Sequence, residues 1–277
     1  MAWAALFVVL PLGILFGTWL GNKLGASATL LLLFPFPVLV LHGIQYLEGG
    51  DAALLSATTS SLGSLPTVFS WAIPYFLISR ALDRSTISEG VRVSACLAGG
   101  VIGSVVMLRV VAEPWRSLAD DRVSFTLASL ALVALAQVAM WLGEQDRAPL
   151  PAVASRANVA GRVITILIIL AVLTATHGRS DALSVTLHMV LMSVPRMTME
   201  LTVSTHIGHG SAAARQVLWG LPLDTLSPIG WCLGVIWLSE PLGMPLAIAL
   251  SALWTVLYTG ALALFFVREH GVMRATS

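Results

Sequence analysis

Residues 35–53, PFPVLVLHGIQYLEGGDAA, and residues 195–213, PRMTMELTVSTHIGHGSAA, decide how this chain is read. Laid over each other at a constant offset of 160, they align Pro35 with Pro195 and Gly50-Asp51-Ala52-Ala53 with Gly210-Ser211-Ala212-Ala213. The register holds further out, where Trp71 meets Trp231, Ser79 meets Ser239 and Gly100 meets Gly260. Leu, Val, Ala and Gly coincide easily between any two apolar segments. The weight therefore rests on the paired Pro and Trp positions, and the chain reads as a duplication.

Both copies are strongly apolar. Hydrophobic residues make up 57% of the 277-residue chain and charged residues 10%, with a mean hydropathy of +0.89. A water-soluble domain carries about 25% charged residues, so the solvent of this chain is a bilayer. The formal charge is +1 and Lys23 is the only lysine. No basic stripe marks a nucleic-acid partner. Cys96 and Cys232 lie inside apolar stretches, without metal-ligand spacing, and read as small buried hydrophobes. Residues 2–20 have no basic leader and no small-residue cleavage site, and read as a retained first span.

Hydropathy predicts nine spans, at about 3–21, 27–46, 61–80, 91–111, 124–143, 161–177, 184–204, 219–238 and 244–267. The third and eighth also read as longer broken helices beginning near Ala52 and Ala212. With nine spans, Lys23, Arg80, Arg84, Arg92, Arg147, Arg156, Arg162, Arg215, Arg268 and Arg274 fall on one side of the membrane. Arg109, Arg116, Arg122 and Arg179 fall on the other. The positive-inside rule then puts the N-terminus outside and the C-terminus in the cytoplasm. The expected architecture is an all-α membrane protein of two inverted four-helix repeats joined by an adapter helix. Residues 1–115 form the first repeat, 116–156 the adapter and linker, and 157–277 the second. Five spans separate equivalent helices, and an odd number turns the second copy over.

The first copy resembles the GlpM family of short bacterial inner-membrane proteins. The resemblance rests on Phe34-Pro35-Phe36-Pro37, an apolar run ending in His42, Gly50-Asp51-Ala52-Ala53-Leu54-Leu55-Ser56-Ala57-Thr58, and Phe69-Ser70-Trp71-Ala72-Ile73-Pro74-Tyr75-Phe76. It covers roughly residues 5–110. The second copy keeps Pro195 and Trp231 but has Arg196 in place of an apolar residue, Thr202 in place of His42 and Gly234 in place of Pro74. The resemblance implies a role in the bacterial inner membrane near exopolysaccharide export, as for alginate. It implies no catalytic residues.

Matched helix interruptions point to a binding site in repeat transporters. Pro35 and Pro37 interrupt the second predicted span, and Pro195 the seventh. Each removes a backbone donor and frees a carbonyl that must find a partner within the protein. A plain kink is the competing reading. Arg196 and Glu200 lie beside the second interruption, four residues apart, so they share a helix face. A mid-membrane charge is costly enough to mark function or a mutual salt bridge. Arg196 suits a phosphate or carboxylate and Glu200 a transferable proton; an interhelical brace without ligand is the alternative. His188, two turns earlier, reads as a proton relay or an interior histidine. His42 is the lone titratable group of its span, and a hydrogen-bonded structural role competes with switching. Asp224, between Pro222 and Pro228, reads as a cap one turn into its span or as a coupling site.

The hydroxyl run Ser56, Thr58, Thr59, Ser60, Ser61, Ser64, Thr67 and Ser70 either lines a polar path or bonds back to its own helix. Trp3, Trp19, Trp115, Trp141 and Trp219 read as interfacial anchors. His206-Ile207-Gly208-His209 reads as a two-histidine loop without acidic companions, so no metal is expected. No phosphate-cradling Gly-Lys-Ser/Thr motif or nucleophile dyad appears, and neither enzymatic activity nor a cofactor is expected. The sequence predicts a small transporter or flippase-like protein for an anionic solute or lipid-linked envelope precursor. The alternative is a non-transporting subunit that binds membrane partners in an envelope or exopolysaccharide assembly.

Overall fold

The computed structural model describes residues 35–83, 85–118, 121–143 and 196–276, with isolated positions at 11, 12, 15, 167, 171, 172 and 175. All regular structure among the described residues is helical. In chain order the helices are α1 (Pro35–Gly63), α2 (Leu65–Ala81), α3 (Glu89–Val110), α4 (Ala112–Ser117), α5 (Arg122–Gly143), α6 (Arg196–His209), α7 (Ser211–Leu242) and α8 (Met244–Thr276). Five stretches are long and apolar enough to cross a membrane: Val38–Ala81, Glu89–Met107, Arg122–Leu142, Ser211–Leu242 and Met244–Phe265. This is an all-α membrane protein. Of the four other predicted spans, those at about 3–21, 161–177 and 184–204 lie largely or wholly outside the described residues, and 27–46 is described from residue 35 on.

The two segments matched at offset 160, the copies of the expected duplication, break at matched positions. α1 is divided at Gly50, with φ 66° and ψ −155°. Gly210, between α6 and α7, has φ 86° and ψ 175°. A β-carbon strongly disfavours this part of conformational space, and glycine enters it freely. The matched Gly-x-Ala-Ala signature is therefore a matched chain reversal. It separates a short arm (35–49 or 196–209) from a long one (51–81, with a turn at Ser64, or 211–242). The long arms begin at residues 51 and 211, as the broken-helix reading of the third and eighth spans predicts. Pro35 and Pro37 fall in the first turn of α1, where an α-helix needs no backbone donor.

Within each copy the long arm packs on the helix that follows it, α2 on α3 and α7 on α8. Small residues make both approaches possible, but from opposite sides. In the first copy the gap is on α3. A β-carbon on Gly100 would lie 2.6 Å from the Trp71 ring, and one on Gly103 would run into the Ser70 carbonyl oxygen and come within 2.8 Å of Pro74. In the second copy the gap is on α7, where Gly230 receives the Trp254 ring and Gly234 receives Ser251. Gly230 and Gly234 are the offset-160 counterparts of Ser70 and Pro74. The loss of proline at 234 is thus offset by the bulk that α8 brings into the space. Close approach of this kind replaces the hydrophobic effect as the driving force between helices in lipid.

α5 packs against both long arms and shows how they run. The Arg80 guanidinium donates to the Leu142 carbonyl at 3.3 Å, at the C-terminal end of α5. Arg122, at the N-terminal end, donates to Glu240 at 2.9 Å, and Trp237 Nε1 donates to Thr126 Oγ1 at 3.0 Å. The two ends of α5 are about 30 Å apart at 1.5 Å per residue. Arg80 and Glu240 are equivalent positions at offset 160. The ends of the two long arms therefore lie at opposite ends of α5. A second contact agrees: the turn after α2 meets the start of α7, where Asp83 bonds Ser211 and Arg215.

The core lies where these helices meet, with Trp71, Tyr75, Phe69, Phe76, Leu218 and Leu221 fully buried. The outer faces of α3, α5 and α8 are covered with exposed aliphatic residues such as Ile102, Leu135 and Val256, as suits surfaces solvated by lipid. Trp115 departs from the anchor role expected of it. It is buried against Phe125, and its Nε1 donates to the Leu62 carbonyl at 3.2 Å. The short α4 folds it back onto α1, which hydropathy does not anticipate. Trp141 is exposed near its span end, as expected.

Candidate functional site

Two histidines reach between the copies, one on each short arm. His42 is buried on α1. Trp231 Nε1, on α7, donates to its Nδ1 at 2.8 Å, and its Nε2 lies 2.8 Å from Ser61 Oγ. Indole nitrogen is only a donor. Nδ1 must then accept, Nε2 carries the hydrogen, and Ser61 receives it. A second proton on the ring would set two N–H groups against each other. His42 is held neutral in one tautomer, which supports the structural role over switching.

His206 is the second. It lies on α6, one turn before the Gly210 break and outside the five spans, and its sequence neighbourhood is helical rather than the expected loop. The ring is fully buried. Nδ1 is 2.8 Å from the Tyr75 hydroxyl. Nε2 is 2.9 Å from Glu89 Oε1, a charge contact rather than an aligned hydrogen bond. Glu89 also pairs with Arg92 at 2.9 Å. Next to this group Arg215, 6% exposed at its side chain, donates to Asp83 at 2.6 Å, and Ser211 donates to the other Asp83 oxygen. Tyr75, Asp83, Glu89 and Arg92 belong to the first copy; His206, Ser211 and Arg215 belong to the second.

Burial pulls the Asp83 carboxyl upward, but the hydrogen bonds from Arg215 and Ser211 and the charges of Arg215 and Arg92 outweigh it. Its pKa is held below the usual carboxylate value. For His206 burial is the larger influence and lowers the pKa; Glu89 pulls it back up, while Arg92 and Arg215 add to the lowering.

The copies differ in how well their interface is satisfied. Trp71 is the counterpart of Trp231, and Thr202 that of His42. Threonine is too short to act as the imidazole does. Trp71 Nε1 and Thr202 Oγ1 are both buried without a hydrogen-bond partner among the described residues. Orphans of this kind are rare in folded proteins and call for a function or a bound water. Asp224 is another. It lies near the middle of the 32-residue α7 rather than one turn from its start, is 3% exposed, and leaves Oδ1 unpartnered. The cap reading fails because the helix begins at Ser211, well before Gly220.

Of the other predicted site residues, Arg196 and Glu200 both lie on α6, as their shared-face reading requires. Their side chains, with those of Pro35 and Pro37, lie outside the described residues, as do His188 and Pro195 altogether. Three hydroxyls of the run bond back to their own helix: Thr58 donates to the Leu55 carbonyl, Ser64 to that of Ser61 and Ser70 to that of Thr67. Ser61 instead holds His42. Cys96 and Cys232 are free and buried. Among the described residues no group of three His, Cys, Asp or Glu side chains could hold a metal. The cluster around His206 escaped sequence reading because its members are far apart in the chain. The signal present in the sequence is the polar set around one break, His206, Ser211 and Arg215 about Gly210. Comparison with family models, curated proteins and solved structures yields no match for this chain.

Proposed function

We propose that this protein is a small transporter or flippase-like protein of the bacterial inner membrane, built as two inverted repeats about an adapter helix. The observation that carries this reading is the pair Arg80 and Glu240, equivalent in sequence and bound to opposite ends of α5. Two copies that run oppositely around a shared helix can exchange their roles by rocking, so that a site between them faces each side in turn. The buried orphans Trp71 Nε1 and Thr202 Oγ1, counterparts of the Trp231–His42 pair that joins the two halves, support a polar interior there, and Asp224 Oδ1 adds a further orphan within the second half. α6 carries Thr202 and the charged positions Arg196 and Glu200. Arg196 would hold an anionic solute or the phosphate of a lipid-linked envelope precursor, and Glu200 would balance its charge. The resemblance of residues 5–110 to the GlpM family fits cargo destined for the cell envelope.

The test is two-sided labelling. With Cys96 and Cys232 replaced by alanine, a single Thr202→Cys is exposed to a membrane-impermeant maleimide in right-side-out and in inside-out vesicles. Reaction from both sides is the expected result. Reaction from neither side, together with a stoichiometric membrane partner on gentle extraction, overturns transport in favour of the accessory-subunit role. The cargo assignment fails separately if Arg196→Ala and Glu200→Gln, in folded protein, leave transport of every anionic candidate unchanged.

A further inference from the structure

His206 differs from His42 in what its partners allow. Tyrosine hydroxyl both donates and accepts, and a carboxylate accepts. With one proton on the ring, Nε2–H faces Glu89 and Nδ1 accepts from Tyr75. With two, Nδ1–H donates to Tyr75 oxygen instead. Neither state sets a donor against a donor at Nδ1, and Nε2–H stays in charge contact with Glu89 in both. A route for the proton is also present: the ring is 0% exposed, but Glu89 is 41% exposed at its side chain and touches it.

The surrounding charges set the balance. Among the described residues, α3 presents Glu89 and Arg92 to the ring's neighbourhood, with the Cys96 thiol beside Tyr75. The turn after α2 presents Asp83, α2 itself Tyr75, and α7 Arg215. His209 is the other titratable group near the end of α6. Asp83 and Glu89 balance Arg92 and Arg215. A proton on His206 therefore leaves a net positive charge beside a fully buried ring, which is unfavourable while the contact is closed. Every bond in the cluster that joins the copies (His206 to Tyr75 and Glu89, Ser211 and Arg215 to Asp83) would be given up if the edge opened to water. The hydrated ring would then take the proton readily.

We propose that His206 is a proton-binding site that controls this edge of the interface: neutral while the Asp83–Glu89 edge is closed, protonated when it opens. By linkage, whichever state binds the proton more tightly gains as the pH falls, so acid favours opening. The inference deepens the transport reading by naming the proton as the ion coupled to rocking, and it rests on that reading for this consequence alone.

The experiment uses the full chain in vesicles, with Cys96 and Cys232 replaced by alanine. A single Ala214→Cys, at a fully buried position beside Arg215, is labelled by an impermeant maleimide applied from the side of the Asp83–Glu89 edge. Rates between pH 8 and 5 are divided by those of a control at an exposed position of the same edge, Thr86→Cys, to remove the intrinsic pH dependence of the thiol. The ratio is expected to rise several-fold towards pH 5, with a ceiling of about tenfold for each unit separating the two pKa values. His206→Gln is expected to abolish the rise, and Glu89→Gln to move it to lower pH, since the carboxylate favours the charged ring. A flat ratio in the parent protein, or an unchanged rise in His206→Gln, overturns the proposal. Should His206→Gln fail to fold, an unmoved midpoint in Glu89→Gln overturns it equally. Labelling judges the proton site and two-sided access at Thr202 judges transport, so each reading fails on its own.

Discussion

His42 and His206 occupy opposite copies, and each touches the other copy, yet only one is free to change charge. The difference comes from the partners: Glu89 faces Nε2 of His206 where Ser61 faces that of His42, and the groups at Nδ1 differ more sharply. Trp231 can only donate, so it fixes His42 in one protonation state. Tyr75 can do either, so it leaves His206 a choice. Burial alone does not distinguish the two rings, since both are almost inaccessible to solvent. Whether a buried histidine is a strut or a switch is decided by the hydrogen-bonding repertoire around it.

The sharpest way to break the contrast is at Trp231. Trp231→Ala opens a cavity at the interface and orphans His42 Nδ1; it is expected to cost about 3–5 kcal/mol, read as a lower unfolding temperature in detergent. Trp231→Phe keeps most of the bulk and removes only the donor. The expected cost is about 1–3 kcal/mol for the unsatisfied acceptor. If the cost is nil, the Trp231 donor is not what fixes the His42 tautomer.

On the His206 side, Asp83→Asn replaces a carboxylate that accepts from Arg215 and Ser211, and is expected to cost about 1–2 kcal/mol at pH 7. The pH dependence has a definite sign. Because the folded pKa of Asp83 is depressed, its contribution is complete above the ordinary carboxylate pKa, near 4. It is lost as the pH falls through the lower folded value. The stability difference between parent and Asp83→Asn should therefore shrink below about pH 4, and a difference that grows in acid would contradict the assignment. Glu240→Gln should have the smallest effect, below about 1 kcal/mol and weakened further by salt, because the pair with Arg122 is exposed. A larger loss would mean that this pair does more than mark where α7 ends.

Much of the membrane architecture was legible in the chain. Hydropathy needs no knowledge of neighbours, since a run of apolar residues reports its own solvent. The doubled Gly-x-Ala-Ala announced two equivalent reversals because only glycine enters that backbone region freely. The free, buried state of both cysteines followed from residue chemistry. The glycines mark the breaks at 50 and 210; Pro35 and Pro37 begin α1, and Pro195 lies outside the described residues. Hydropathy starts the eighth span near 219, whereas α7 begins at Ser211 and so places Asp224 in mid-helix; Trp115 turns inward because a six-residue helix carries it back onto α1.

The sequence by itself determined that this is a helical membrane protein with a repeated break, because composition and backbone sterics are local properties. Only the tertiary structure decided which side chains meet across the copies. Tyr75 finds His206 from 131 residues away, and Gly234 finds Ser251 where its counterpart is a proline. Such pairings depend on how close two helices come and how each is rotated about its axis, and those are set by the packing of whole faces against one another.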